Sequence, residues 1–318
     1  NHSPSLSSHQ PSTINHSPSL SSHQPSTMNP SPSLSSHQPS TMNPSPSLSS
    51  HQPSTINHSP SSPIPPPCPS PFPPIFALNL ADTALALHKL QLETGREIHL
   101  GLEPEPDCLL AAPDDAIRFF ETILIPHGAP RLAAQSGCSR SEAESLLRRH
   151  IGICLDTCHM AVEFLSPADS IHLLRKSGIR LSKIQLSAAI ETDGAPVSLA
   201  RLRDFCDPIY LHQTRIQDPA TGLIRRYPDL TQALDAEPSD ASAIWRTHFH
   251  IPLHATDIAP LRSTALQLDS KFWEAAHRTG VTHYEIESYT FSVLPPSLQA
   301  AGLEQSVARE FAWTQNGL

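Results

Sequence analysis

Residues 150–164 read HIGICLDTCHMAVEF. The first half is a short apolar run that ends on a carboxylate, Asp156. An imidazole, His159, follows three residues later, and thiols stand at Cys154 and Cys158. The apolar run predicts a strand, and the residues after Asp156 start a helix. Such a strand-to-helix joint is compatible with a metal site, a nucleophile site or a capped corner. Its neighbours have to decide among these.

Outward from this joint, helix and strand signals alternate. LADTALALHKLQLETG has helical apolar spacing and ends at Gly95, EIHLGLEPE is a short strand stopped by Pro104 and Pro106, and PDDAIRFFETIL opens a helix with Pro113 and two acids. Ser141-x-x-Glu144 in SRSEAESLLRRH has the capping-box pattern. SPADSIHLLRKSG carries Ser166 as N-cap, Pro167 at the first helical position and Gly178 after the end. Further strands are expected at IRLSKIQLS, RTHFHIPLH and VTHYEIES, and further helices at SLARLRDFC, TQALDAE, DSKFWEAAHRTG and LEQSVAREFAW. PIYLHQTRI and GLIRRYPDL flank QDPAT as a hairpin.

The first 75 residues are different in kind. No Lys, Arg, Asp or Glu occurs before Asp82, and four copies of a 14-residue Asn/Ser/Pro/His repeat precede a Pro-rich run. Too little apolar surface is present to offset the entropy of ordering, so 1–75 reads as a disordered tail and linker, and 76–318 as the folded domain. The net charge of −9 lies wholly in that domain and opposes a broad nucleic-acid surface. No run of about 18 apolar residues predicts a membrane span. Six cysteines without a CxxC pair point to a reducing, cytoplasmic setting.

Alternating elements imply a parallel sheet with helical crossovers, either an open doubly wound sheet or a (β/α)8 TIM barrel. No glycine-rich phosphate loop follows a strand. Polar residues instead end nearly every strand: Glu103 and Glu105, Asp156, Gln185 and Ser187, His248 and His250, Glu285 and Glu287. In a barrel these ends converge on one mouth. The reading is therefore an α/β TIM barrel, N-terminally incomplete, with about five of the eight βα units. Carboxylates, imidazoles and an amide oxygen at one mouth suit a divalent cation (Mn, Mg, Co or Zn), with Glu103, Asp156, Gln185, His250 and Glu287 as ligands. For Asp156 the competing role is an N-cap, which leaves His159 unexplained. His212 and His248 are placed with substrate. Cys154 and Cys158 read as small buried hydrophobes.

These stretches resemble a known group. The DTCHM turn and the Glu-ended strands are similar to the xylose-isomerase-like TIM-barrel superfamily of sugar isomerases, sugar epimerases and endonuclease IV. LGLEPEPDCLL, HIGICLDTCHMAVEF, IRLSKIQLSAAI, PIYLHQT, RYPDL, WRTHFHIPLH and HYEIESYTFSVLP resemble, more closely, the EboE metabolite-traffic family, over roughly residues 80–315. The resemblance implies that Glu103 and Glu287 bind metal and act as an acid/base pair. It also implies that Asp156 is a ligand and that His159 touches substrate hydroxyls. The substrate would be a small polyol or sugar-like metabolite, handled for export, with other ebo-cluster proteins as partners and neither nucleic acid nor membrane insertion. One departure is Gln185, which stands where the epimerases carry a ligand His. That departure leaves a non-catalytic metabolite-binding protein as the alternative, with an endonuclease IV-like phosphodiesterase behind it.

Overall fold

The computed structural model describes residues 73–255 and 258–317. The tandem repeat and the Pro-rich run up to Phe72, read above as a disordered tail, lie outside the described residues.

Helix α1 (Pro74–Thr94) ends where expected, at Gly95, whose left-handed φ of 71° lets its amide close back on Gln91. The chain then forms the short strand β1 (Leu100–Leu102) and a long helical segment. That segment runs through α2 (Pro113–Phe119), a π-helical stretch over Phe120–Gly128, and α3 (Ala129–Ser136). Pro126 lies inside the π stretch, where a wider turn accommodates a residue with no N–H to donate. Helix α4 (Arg140–His150) is capped by Ser139 and Glu142, which bond each other's backbone amides. The expected capping pair, Ser141 and Glu144, lies inside the first turns, and Glu144 pairs with Arg148 instead.

Strand β2 (Ile151–Asp156) is buried along its whole length and leads directly into α5 (Thr157–Val162). Helix α6 (Pro167–Lys176), with Ser166 as N-cap, returns the chain to β3 (Leu181–Leu186). After one residue, Ser187, a new strand begins, β4 (Ala188–Gly194). Then come α7 (Pro196–Leu202), the hairpin β5 (Thr214–Gln217) and β6 (Ile224–Tyr227), α8 (Leu230–Ala236), the long β7 (Asp240–Ile251) and the short β8 (Arg262–Ser263). Helix α9 (Ser270–His277), strand β9 (Tyr284–Ile286), α10 (Pro296–Gln299) and α11 (Leu303–Gln315) complete the chain.

The strands form two sheets. One is parallel, in the order β1-β2-β3-β9, and the other is antiparallel, in the order β6-β5-β7-β4-β8. This corrects the sequence reading in two ways. RTHFHIPLH, expected as a fifth parallel strand, belongs to β7 of the antiparallel sheet. The reason is the join between β3 and β4. A parallel connection needs a crossover of a dozen or more residues, and a single Ser187 leaves no room for one. Neither sheet closes on itself, and β1 and β9 are the edges of the parallel one, so the molecule is a mixed α/β fold and not a shown barrel. His99, which leads into β1, and His283, which leads into β9, meet with ring centroids 6.4 Å apart.

The large buried side chains, among them Trp245, Phe249, Phe205, Phe120 and Phe272, belong to one continuous core reaching both sheets. No described helix is long and apolar enough to cross a membrane. Within the parallel sheet, backbone approach is tighter at Gly152 than at Gly101: an added Cβ at Gly152 would lie 2.4 Å from Ser182 Oγ and 2.7 Å from the Arg180 carbonyl oxygen. The carbonyl cannot rotate away, so Gly152→Ala has to displace β2 from β3. A loss of about 1–3 kcal/mol is expected in urea denaturation; an unchanged midpoint would show that the two strands are less closely held than this.

Candidate metal centre

Asp156 closes β2, and its carboxylate is fully buried. Its Oδ1 accepts from the His159 amide at 2.9 Å, so Asp156 is indeed the N-cap of α5, and also from the Ser187 hydroxyl at 2.7 Å. Its Oδ2 has no hydrogen-bond partner. The cap and the ligand readings therefore do not compete, because each takes one oxygen. Burial pushes the Asp156 carboxyl up, but the His159 and His250 imidazoles and the two hydrogen bonds hold it below the usual carboxylate value.

Three imidazoles meet one another next to this carboxylate, and His250 Nε2 lies 3.9 Å from the free oxygen. His159 comes from the first turn of α5, and His248 and His250 from the end of β7. The Nε2 atoms of His159 and His248 lie 3.2 Å apart, and those of His248 and His250 lie 3.0 Å apart. Each ring is oriented through its other nitrogen by an oxygen that only accepts. His159 Nδ1 donates to the Pro104 carbonyl at 3.0 Å, His248 Nδ1 to the Gln213 amide oxygen at 2.6 Å, and His250 Nδ1 to the Glu287 carbonyl at 3.1 Å. In neutral imidazoles this leaves all three Nε2 atoms as bare lone pairs facing one another. Tyr289 brings its hydroxyl to 3.4 Å from His248 Nε2, and one phenol proton cannot serve three acceptors.

Such a cluster is repulsive unless something positive lies within it. The residues fit a cation. Asp156, His159 and His250 have ligand atoms within 4.8 Å of one another, and so do Cys158, His248 and His250. Spacings near 3 Å match the roughly 3.3 Å edge of a tetrahedron whose metal–nitrogen bonds are about 2.0–2.1 Å. Ring nitrogens fixed from behind by acceptors are the usual outer support of histidine ligands. Protonation is the other way to relieve the cluster, and burial opposes it. Burial first, then the neighbouring imidazoles, depress His248 well below the usual value, and His250 is held down to about 4.

A second group, Glu103, Asp156 and Glu287, shares Asp156 with the first, its carboxylate oxygens again within 4.8 Å. Burial, the Asp156 charge and a hydrogen bond to Asp156 push Glu287 up to about 8, so in the metal-free protein it keeps its proton at neutral pH and shares it with Asp156. Burial also raises Glu103. Glu103 Oε1 lies 3.5 Å from His159 Nδ1.

The structure thus gathers Glu103, Asp156, His159, His248, His250 and Glu287. His159 and His248, expected to touch substrate, point their Nε2 atoms at one another within the imidazole cluster. Two expected residues serve otherwise. His212 stands apart: its Nδ1 bonds the His248 carbonyl at 2.9 Å, its Nε2 faces Asp207, and its ring stacks on Phe249. With both nitrogens engaged and the side chain buried, it supports β7 and has no free atom for a substrate. Gln185, expected as a ligand, accepts from the Cys154 thiol at 2.8 Å and donates to Glu287 Oε2 at 2.6 Å, so it steadies an acid. Glu285 pairs with Lys183. Cys158 packs with Ala161, Val162 and Ala189, as a small hydrophobe should.

Gln213 and Tyr289 were not anticipated. Gln213 adjoins His212, and only the strand alternation that puts Gln213 and Arg215 on one face could have singled it out. Tyr289 lies two residues past Glu287. Comparison of the chain with protein-family models, with curated proteins and with solved structures finds no match in any of the three.

The depressed His250 gives a signed expectation for metal-stripped protein. Between its ordinary value of 6.5 and about 4, the unfolded chain binds a proton that the folded chain refuses. Stability therefore falls as pH drops through that window, by about 1.4 kcal/mol per pH unit for this group. Wild type should lose stability faster than His250→Asn from pH 6.5 down to 4.5 in urea titrations. Parallel curves would mean that His250 is protonated, or hydrated, in the fold.

Proposed function

We propose that this chain is a divalent-metal-dependent protein of the xylose-isomerase-like type, with its parallel sheet as an arc of that barrel. It would act on a small polyol or sugar-like metabolite in the cytoplasm. The observation that carries the reading is the cluster of three bare imidazole nitrogens beside the partnerless Asp156 Oδ2. Asp156, His159, His248 and His250 would hold the ion. A nitrogen-rich set of this kind favours Zn or Co over Mg. Bound there, the ion would polarise a substrate oxygen as a Lewis acid.

The chain's own groups would handle the protons. Glu287 and Glu103 flank the cluster on one side, share Asp156 as a neighbour, and are both only partly covered. A proton removed next to a carbonyl by one could be returned by the other, which is the logic of an isomerase or epimerase. Gln185 fixes the Glu287 carboxyl from behind, and Pro104, through its carbonyl, fixes His159. The traffic role and the ebo-cluster partners that the EboE resemblance implies belong to this proposal, and their support is that resemblance alone.

A non-catalytic reading has one observation in its favour. The Gln185 amide, standing where a sugar epimerase has a ligand His, ties down Glu287, the acid that would have to move a proton. Metal analysis and turnover separate the readings. Purified full-length protein should contain about one divalent ion per chain by elemental analysis, and Asp156→Ala and His248→Ala should lose it. A folded, metal-free wild type would end the metal reading. With metal present, ketose and polyol substrates should turn over, and Glu287→Gln should abolish turnover while leaving the ion in place. Metal without product from any of them would favour binding and handover.

A further inference from the structure

We propose that Gln213 is a positioning residue that sets the tautomer of His248 and thereby keeps the imidazole cluster ready for a cation; the cation half of this rests on the metal-dependent reading above. The argument begins with the carbonyl of Pro106, which can only accept. Gln213 Nε2 donates to it at 3.3 Å, so the Gln213 amide has one allowed orientation. That orientation turns Oε1 to His248 Nδ1, at 2.6 Å. An amide oxygen also only accepts, so the His248 proton must sit on Nδ1 and its Nε2 must be bare. Turning the amide over would set oxygen against oxygen at Pro106. It would also place an NH2 group against Nδ1 and drive the imidazole proton into the cluster. Gln213 is buried, so water does not offer an easy substitute.

The other two rings are set by backbone carbonyls, of Pro104 and Glu287, which no substitution removes. For His248 the acceptor is a side chain, and this makes the device testable. The segment from Pro104 to Pro106 suits the task. Its two prolines have carbonyls and no N–H, so they offer acceptors without competing donors. Arg215, on the same face of the strand as Gln213, holds the next residue in place. Its guanidinium is fully buried and donates to Asp107 Oδ1 at 2.7 Å and to Glu163 Oε1 at 2.8 Å. Asp107 sits at a φ of 66°, a left-handed conformation that a non-glycine residue keeps only when held. Through these two side chains the antiparallel sheet fixes the loop whose carbonyls orient His159 and Gln213.

The test uses metal-stripped full-length protein labelled with 15N at histidine, with long-range 1H–15N NMR to read the protonated nitrogen. His248→Asn assigns the signal. Wild-type His248 is expected to carry its proton on Nδ1. Gln213→Glu, which keeps an acceptor for that proton, should preserve this, and Gln213→Met should move the proton wholly or partly to Nε2. In a cobalt(II) titration, Gln213→Met should bind about 10–100-fold more weakly than wild type, and Gln213→Glu much less so. A wild-type His248 protonated on Nε2 overturns the proposal, even if Gln213→Met does not fold. An unchanged tautomer in a folded Gln213→Met also overturns it. The expected tautomer shift together with a wild type that takes no cobalt would uphold the role of Gln213 and sink the metal reading.

Discussion

The carboxylate of Asp156 has no route to water, and its two oxygens are treated unequally. Oδ1 receives the His159 amide and the Ser187 hydroxyl, while Oδ2 receives nothing. A fully buried carboxylate costs several kcal/mol unless its lone pairs are met. The fold meets half of them with an N-cap and a serine at the β3–β4 join. The other half faces imidazoles that have no proton to give, because each has spent its own on an acceptor behind it, so in the metal-free protein the proton within reach is that of the Glu287 carboxyl. The joint between β2 and α5 is thus sound as a helix start and unfinished as an electrostatic site. A cation finishes it without disturbing the cap, since it needs only Oδ2 and the three ring nitrogens.

Building this arrangement takes both sheets. The parallel sheet and its strand ends supply carboxylates, from Glu103, Asp156 and Glu287. The antiparallel sheet supplies imidazoles, from His248 and His250. A cation site with mixed oxygen and nitrogen donors therefore forms only if the sheets hold their separation to within a few tenths of an ångström. Two kinds of contact do that work. Ser187, the single residue between β3 and β4, bonds Asp156 Oδ1, receives the Cys158 amide at 2.9 Å and accepts from Thr157 at its carbonyl. On the far side, Gln213 and Arg215 grip the loop that follows β1.

The joint itself was legible in the sequence. An apolar run ending in Asp156 with His159 one turn later predicts strand, N-cap and helix, and all three are present. Helix ends marked by local signals, Gly95 and Ser166 among them, were legible for the same reason: the cap and the residue that needs it are neighbours in sequence. The strand ending in His250 was legible as a strand, but its partners were not. Hydrophobic alternation reports which face is buried and is silent on whether a neighbouring strand runs parallel or antiparallel. The clue lay elsewhere, in the absence of room for a helix between LSKIQL and AAIETDG. Strand β4 was overlooked because Glu191 and Asp193 give it the look of a loop; in the fold Glu191 pairs with Arg246 and Arg262 across the sheet.

The site was legible as a set of residue types and not as a set of roles. Strand-end carboxylates and imidazoles pointed to the right mouth, yet a side chain's role depends on what its second polar atom touches. Gln185 and Gln213 show this. Either amide could present its oxygen to a cation. Gln185 instead offers that oxygen to the Cys154 thiol and its nitrogen to Glu287, and Gln213 divides itself between Pro106 and His248. His212 and His248 differ in the same way. Both are buried imidazoles close to β7, but Asp207 occupies the Nε2 side of His212, and a bare lone pair remains on that of His248. In each pair the residue type is shared and the far-side partner decides the chemistry. Those partners lie about 30 to 100 residues away in sequence for three of the four, beyond the reach of any local pattern.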